Sequence, residues 1–89
     1  MEVRWSTLAV EDLGRIFHRI AKDNPTAARE TVKAMYDGCQ SLSDFPYRGR
    51  PGRMNGRREL VFPPYIAVYQ VKEHAVEISR IYHGAQDWP

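Results

Sequence analysis

Apolar and polar positions alternate over Val3-Arg4-Trp5, a period of two that predicts a short strand, and from about Ala9 the period changes. Val10, Leu13, Phe17 and Ile20, with Ile16 beside them, recur every three or four residues. They form one stripe of a helix whose opposite face carries Glu11, Asp12, Arg15 and Arg19. Ser6 or Thr7 is placed to cap that helix, and the acids in its first turn suit the helix dipole. Asp23-Asn24-Pro25 interrupts the pattern. Asn24 is a capping residue, Pro25 suits a first helical position, and the proline ring keeps the preceding helix from running on. A second helix is predicted to about Ser43, with Ala28, Val32, Met35, Cys39 and Leu42 inward and Ala27 and Thr31 on its flank. Small residues at the joint let the two helices approach as an antiparallel hairpin.

Residues 45–56 are dense in Pro and Gly and predict a loop with its arginines exposed. Three strands follow. Arg58, Leu60 and Phe62 alternate with Glu59 and Val61, residues 66–71 are β-branched and aromatic, and residues 76–82 alternate cleanly. Pro63-Pro64 and Lys72-Glu73-His74 are the connections. The predicted fold class is α+β: an N-terminal strand, an α-helical hairpin, then a three-stranded antiparallel sheet, in the order β-α-α-β-β-β, as a single domain over 1–89.

Composition narrows the class without naming a function. A chain of 89 residues with 43% hydrophobic and 27% charged content is one folded domain. Such a domain buries roughly 60–65% of its unfolded surface, and its stability is modest, about 0.05–0.15 kcal/mol per residue. A partner that binds only the folded form therefore matters to it. The lone Cys39 permits no internal disulfide or Cys-rich zinc motif, and its mid-helix apolar position makes it a small buried hydrophobe. No signal-like apolar run opens the chain and none approaches the ~18 residues of a membrane span, so the expectation is a soluble, cytoplasmic protein.

The formal net charge of +2 hides a local excess. Residues 1–44 hold six basic and seven acidic side chains, and residues 59–89 hold two and four. Between them, Arg48, Arg50, Arg53, Arg57 and Arg58 stand in fourteen residues with no acid, a local charge of +5. Guanidinium groups suit bidentate phosphate or carboxylate recognition, and Tyr47 and Met54 beside them offer surface for stacking or for a protein contact. Arg48, Arg50, Arg53 and Arg57 are therefore candidate target- or anion-binding residues. A solvated surface loop is the competing reading.

There is no Gly-rich phosphate loop, no His/Cys metal spacing and no Gly-x-Ser-x-Gly elbow, so no cofactor and no metal is expected. Arg58 and Arg80 sit in two different strands, with His83 at the end of the last. On neighbouring strands they would form a set suited to phosphodiester cleavage, the arginines stabilising phosphorane charge and the histidine moving a proton. The competing reading pairs the arginines with carboxylates such as Glu59 or Glu77 and leaves His83 to end the sheet.

The stretch Ser41-Leu42-Ser43-Asp44-Phe45-Pro46 with Gly49-Arg50 precedes Arg58-Glu59-Leu60 and Tyr65-Ile66-Ala67-Val68-Tyr69. The chain closes on Ser79-Arg80-Ile81-Tyr82-His83-Gly84-Ala85-Gln86-Asp87-Trp88. In this order and spacing the motifs resemble the RelE/ParE superfamily of bacterial toxins, including those described as plasmid stabilisation proteins, over nearly the whole chain. The resemblance implies a growth-inhibiting toxin neutralised by a cognate antitoxin, typically ParD-like with a ribbon-helix-helix part through which the pair reaches operator DNA. One branch inhibits DNA gyrase without hydrolytic chemistry; the other cleaves mRNA on the ribosome as an endoribonuclease, an mRNA interferase. Arg58, Arg80 and His83 fall on or near positions used by the nuclease branch and would be catalytic only there. The lysines of that branch have no match here, and arginine, with a pKa above about 12, is a poor general base. The closing His83-Gly84 with Asp87-Trp88 is common among ParE-like members and tilts the expectation to gyrase. A degenerate member that binds antitoxin without toxicity is the third alternative.

Overall fold

The computed structural model describes residues 1–84. Ala85, Gln86, Asp87 and Trp88, which carry part of the resemblance, lie outside the described residues. Strand β1 (Glu2–Trp5) leads into helix α1 (Thr7–Ala21), helix α2 (Pro25–Gln40) and a short 3-10 turn (Ser41–Ser43). Strands β2 (Arg50–Pro51), β3 (Arg58–Phe62), β4 (Tyr65–Val71) and β5 (Ala75–His83) follow. This is the expected α+β order with one addition. Arg50–Pro51, inside the segment expected to be loop, pairs with β3 and makes a fifth strand. The sheet runs β1-β5-β4-β3-β2 and is mixed: β1 lies parallel to β5 and the other neighbours are antiparallel.

Local signals explain the helix ends. The Ser6 side chain accepts from the Ala9 amide and Asn24 accepts from Ala27, with Pro25 opening α2. Because α1 starts at Thr7, its first turn contains no acid, contrary to the expectation of a dipole contribution from Glu11 and Asp12. Lys72 N–H donates to the Ala75 carbonyl at 2.8 Å and closes the β4–β5 hairpin.

The hairpin covers one face of the sheet. Ala9 and Ile16 of α1 and Met35 and Cys39 of α2, with Leu42, pack on Tyr65, Ala67 and Tyr69 of β4 and Val76, Ile78 and Ile81 of β5. The α2 stripe is as the spacing predicts, since Ala28, Met35, Cys39 and Leu42 are fully buried and Val32 half-buried. Trp5 stacks on Tyr36 with ring centroids 5.8 Å apart, fastening β1 to α2. Burial pushes the Cys39 thiol up to about 12. At pH 8 the native protein is thus expected to resist thiol reagents and to react only when denatured; stoichiometric labelling of native protein within minutes would contradict this.

The α1 stripe departs from the expectation in an informative way. Val10 is 55% exposed, whereas Asp12, assigned to the polar face, is 1% exposed. The cause lies at the sheet edge. Strand β1 pairs with β5 only as far as Ile78, after which the chain turns into α1. Ser6 continues the contact, its N–H donating to Ile78 O and its hydroxyl to Ser79 O at 2.7 Å. Ser79 is the extra residue of the β4–β5 register shift, so Ile78 and Ile81 both face the core. Beyond it the Ile81 N–H has no strand to receive it, and Asp12 Oδ2 accepts it at 2.9 Å. Arg80 closes the same carboxylate from outside, Nε to Oδ2 at 2.8 Å and Nη2 to Oδ1 at 3.1 Å, and Arg15 donates to Oδ1 at 3.0 Å. Burial alone would raise the Asp12 pKa, but these hydrogen bonds together outweigh it and hold the carboxyl below its ordinary value.

Candidate target-binding loop

Residues 44–57 form a surface loop that the sheet holds at several points. Tyr69, fully buried on β4, donates its hydroxyl hydrogen to the Pro46 carbonyl at 2.9 Å and accepts the Gly49 N–H at 2.9 Å. Arg58 donates Nε to Gly49 O at 3.1 Å and Nη2 to Tyr47 O at 3.2 Å, with a further contact from Nη2 to Gly49 O. Glu59, 3% exposed, accepts from Arg50 Nη2 at 2.9 Å and from the Arg53 N–H at 3.1 Å. The loop then turns at Gly56, whose φ of +78° suits a residue without a side chain, and Gly52 N–H closes it on Arg57 O at 2.8 Å. Replacing Tyr69 by phenylalanine leaves the Gly49 amide and Pro46 carbonyl without their partner. The expected cost is about 1–3 kcal/mol, read as a lower midpoint in urea unfolding.

On this held loop the arginines are unequal. Arg50 is neutralised by Glu59. Arg48 donates to the Ser41 hydroxyl and lies over the Phe45 ring, 5.1 Å from its centroid. Arg57 leaves the loop and reaches over β4, donating Nη1 to Gln70 Oε1 at 2.6 Å and, more weakly, to Ser79 Oγ at 3.4 Å. Arg58 lies over the Tyr47 ring at 5.3 Å. Among the described residues, Arg48, Arg57 and Arg58 have only neutral partners. Phe45 and Tyr47 are 58% and 66% exposed, so the loop presents aromatic rings and uncompensated guanidinium charge together.

Arg58, Arg80 and His83, the three residues a nuclease site would need, occupy three different places. Strands β3 and β5 are separated by β4. Arg58 pairs across from Tyr69 and His83 from Tyr65, four residues apart on β4, or about 13 Å at ~3.3 Å per residue. The Arg58 guanidinium turns to the loop carbonyls and that of Arg80 turns round the sheet edge to Asp12. The His83 ring meets Tyr65 edge-on at 5.5 Å, bordering a cavity of about 30 Å³ with Arg15 and Arg19, room for about one water. Arg80 pairs with a carboxylate, as the competing reading of the sequence had it, but the partner is Asp12 and not Glu59 or Glu77.

Two organising residues, Asp12 and Tyr69, escaped the sequence reading, and a third, Glu59, was expected to pair with a strand arginine but takes Arg50 of the loop. Asp12 was detectable in principle, since Ala9, Asp12, Leu13, Ile16 and Ile20 share a helical stripe into which an acid intrudes. Glu59 is the one acid from 45 to 62 and sits on a strand among apolar neighbours. Nothing local marks the Tyr69 hydroxyl as the loop's anchor. Among the described residues no three His, Cys, Asp or Glu side chains come together as a metal set, and no helix is long and apolar enough to cross a membrane.

Residues 3–88 match the family of the ParE toxin of type II toxin-antitoxin systems, parDE. The candidate toxin Y4kP of Sinorhizobium fredii is 38% identical over 89 residues, covering 98% of this chain and 92% of that protein. Toxin RelE2 of Caulobacter vibrioides is 34% identical over 85 residues, covering 96% and 97%. Among solved structures, the chromosomal ParDE system of P. aeruginosa superposes with a TM-score of 0.84 at 26% identity, over 93% of this chain and 95% of that one. The RelBE2 toxin-antitoxin complex of Mycobacterium tuberculosis gives 0.68 at 26% identity, over 92% and 95%. Its α+β order, its mixed five-stranded sheet and these matches together place the chain in the ParE/RelE family of type II toxin-antitoxin toxins.

Proposed function

We propose that this toxin acts in the cytoplasm by binding and inhibiting DNA gyrase, without cleaving nucleic acid, and that a co-encoded antitoxin silences it. The observation that carries this reading is the separation of Arg58, Arg80 and His83, with both arginines engaged in holding the fold. A nuclease needs a positioned proton acceptor beside its phosphate-binding groups. Glu59, the carboxylate next to Arg58, is buried and paired with Arg50. The match to the ParE family and the likeness to a ParDE system support the same reading. The antitoxin is proposed to be ParD-like, with a ribbon-helix-helix part that reaches operator DNA. Because it binds only the folded toxin, it raises the toxin's stability by mass action.

A second reading, ribosome-dependent mRNA cleavage, is favoured by the identity to Toxin RelE2. Inducible expression without antitoxin separates the two. The gyrase reading expects an SOS response and growth arrest with translation continuing at first. Immediate arrest of protein synthesis with cut messages and no SOS response sinks it, and an absence of any growth effect indicates a member that only binds antitoxin.

A further inference from the structure

Tyr47, Pro51, Gly56, Arg57, Arg58 and Val71 line a hollow of about 280 Å³ between the loop and the start of β3. Arg57 and Arg58 are consecutive, and both line it. Their engaged donors are Arg57 Nη1 and Arg58 Nε and Nη2, and each meets a neutral acceptor. Arg57 Nε and Nη2 and Arg58 Nη1 have no acceptor among the described residues. Two guanidiniums with donors to spare, and no carboxylate paired with either among the described residues, make a candidate anion site. Arg50 nearby differs, since it pairs with buried Glu59.

The hollow also has an aromatic wall. Tyr47 carries the Arg58 guanidinium over its ring and is 66% exposed, and its backbone is fixed by Arg58 and by the Tyr69 contacts to Pro46 and Gly49. A held, exposed ring in a hollow that two arginines also line suits a ligand that is flat at one end and anionic at the other. A lone carboxylate uses one guanidinium and no ring, whereas a nucleotide unit uses all three groups. Arg48, also without a carboxylate partner among the described residues, adds a further guanidinium on the loop beside Tyr47.

We infer that the hollow between Tyr47, Arg57 and Arg58 binds a phosphodiester of an unpaired DNA strand, with the adjoining base stacked on Tyr47. The toxin then touches the DNA that gyrase holds as well as the enzyme. The choice of DNA over RNA rests on the gyrase reading above.

The test is fluorescence anisotropy of the purified full-length toxin with a twelve-nucleotide single-stranded DNA, the RNA of the same sequence, and an aspartate-rich peptide, each at 50 and 200 mM salt. DNA is expected to bind, to weaken with salt, and to exceed RNA and peptide. R57Q is expected to lose about tenfold in affinity and to lower the salt slope by about one unit. Y47A, at an exposed ring, is expected to lose about tenfold with an unchanged salt slope. R29Q, which removes an exposed arginine of α2, should match wild type, and thermal melts confirm that each variant folds. Equal DNA affinity in wild type, R57Q and Y47A overturns the site, as does preference for RNA or for the peptide. A toxin that induces the SOS response but binds no oligonucleotide overturns this site and leaves the gyrase reading standing. Translation arrest without an SOS response overturns that reading, and the DNA assignment with it.

Discussion

Replacing Asp12 by alanine is expected to destabilise the toxin by about 3–4 kcal/mol, the largest effect of any single polar substitution in the fold. The carboxylate is 1% exposed and receives four hydrogen bonds, from the Ile81 N–H, twice from Arg80 and from Arg15. Its removal leaves the Ile81 amide buried at a strand edge with nothing to accept it. Arg80 can turn to solvent, so most of the loss lies on the amide and on the lost charged hydrogen bonds. For a domain of this size the melting temperature should fall by about 12–25 °C. Because the native pKa of Asp12 lies below its unfolded value, the carboxylate stabilises fully above about pH 4 and progressively less as pH falls through the native pKa. The wild type should therefore lose stability on acidification more steeply than D12N, which has no carboxyl to protonate. Parallel acid dependence of the two proteins, measured by thermal melts from pH 7 to pH 3, would show that Asp12 is not the group responsible.

Gly49→Ala should also be costly, about 2–3 kcal/mol and roughly 10–20 °C in melting temperature. A β-carbon at Gly49 would lie 2.6 Å from the Glu59 carbonyl oxygen and 2.7 Å from the Tyr69 hydroxyl. One of those is backbone of β3, so relief requires the loop to move off the strand. That movement breaks the Tyr69 and Arg58 bonds to Gly49 together, and it releases Tyr47 and Arg48 from their fixed positions. Two readings follow from the same variant: a lower melting temperature, and weaker growth inhibition at matched expression. A melting temperature within 2 °C of wild type would mean that the loop has slack the close contacts do not show.

The fold was largely legible because its main signals are local. The Asn24-Pro25 joint, the α2 stripe ending in Cys39 and Leu42, and the β-branched and aromatic run of β4 each report their own burial. What stayed hidden depends on residues distant in the chain. Asp12 is inside because β1 stops pairing at Ile78 and leaves the Ile81 amide for a side chain 69 residues earlier. Arg50 is neutral in effect because β2 pairs it with Glu59, and that two-residue strand has no periodicity to detect. The basic character of the loop could be counted, but which of its charges survive folding could not. The proposed trio of Arg58, Arg80 and His83 turned on strand adjacency, and the sheet order puts β4 between the first residue and the other two. Family resemblance named the fold; the sheet order is what argues about the chemistry.

The central claim is that this member of the ParE/RelE family stops growth through gyrase. Purified gyrase, supercoiled plasmid and ATP, titrated with the toxin and then with its antitoxin, test it most directly. The account predicts that cleaved plasmid accumulates on the enzyme as toxin is added and is lost on addition of antitoxin, while messages on programmed ribosomes stay intact. Unperturbed gyrase beside toxin-dependent cutting of ribosome-bound message would contradict it.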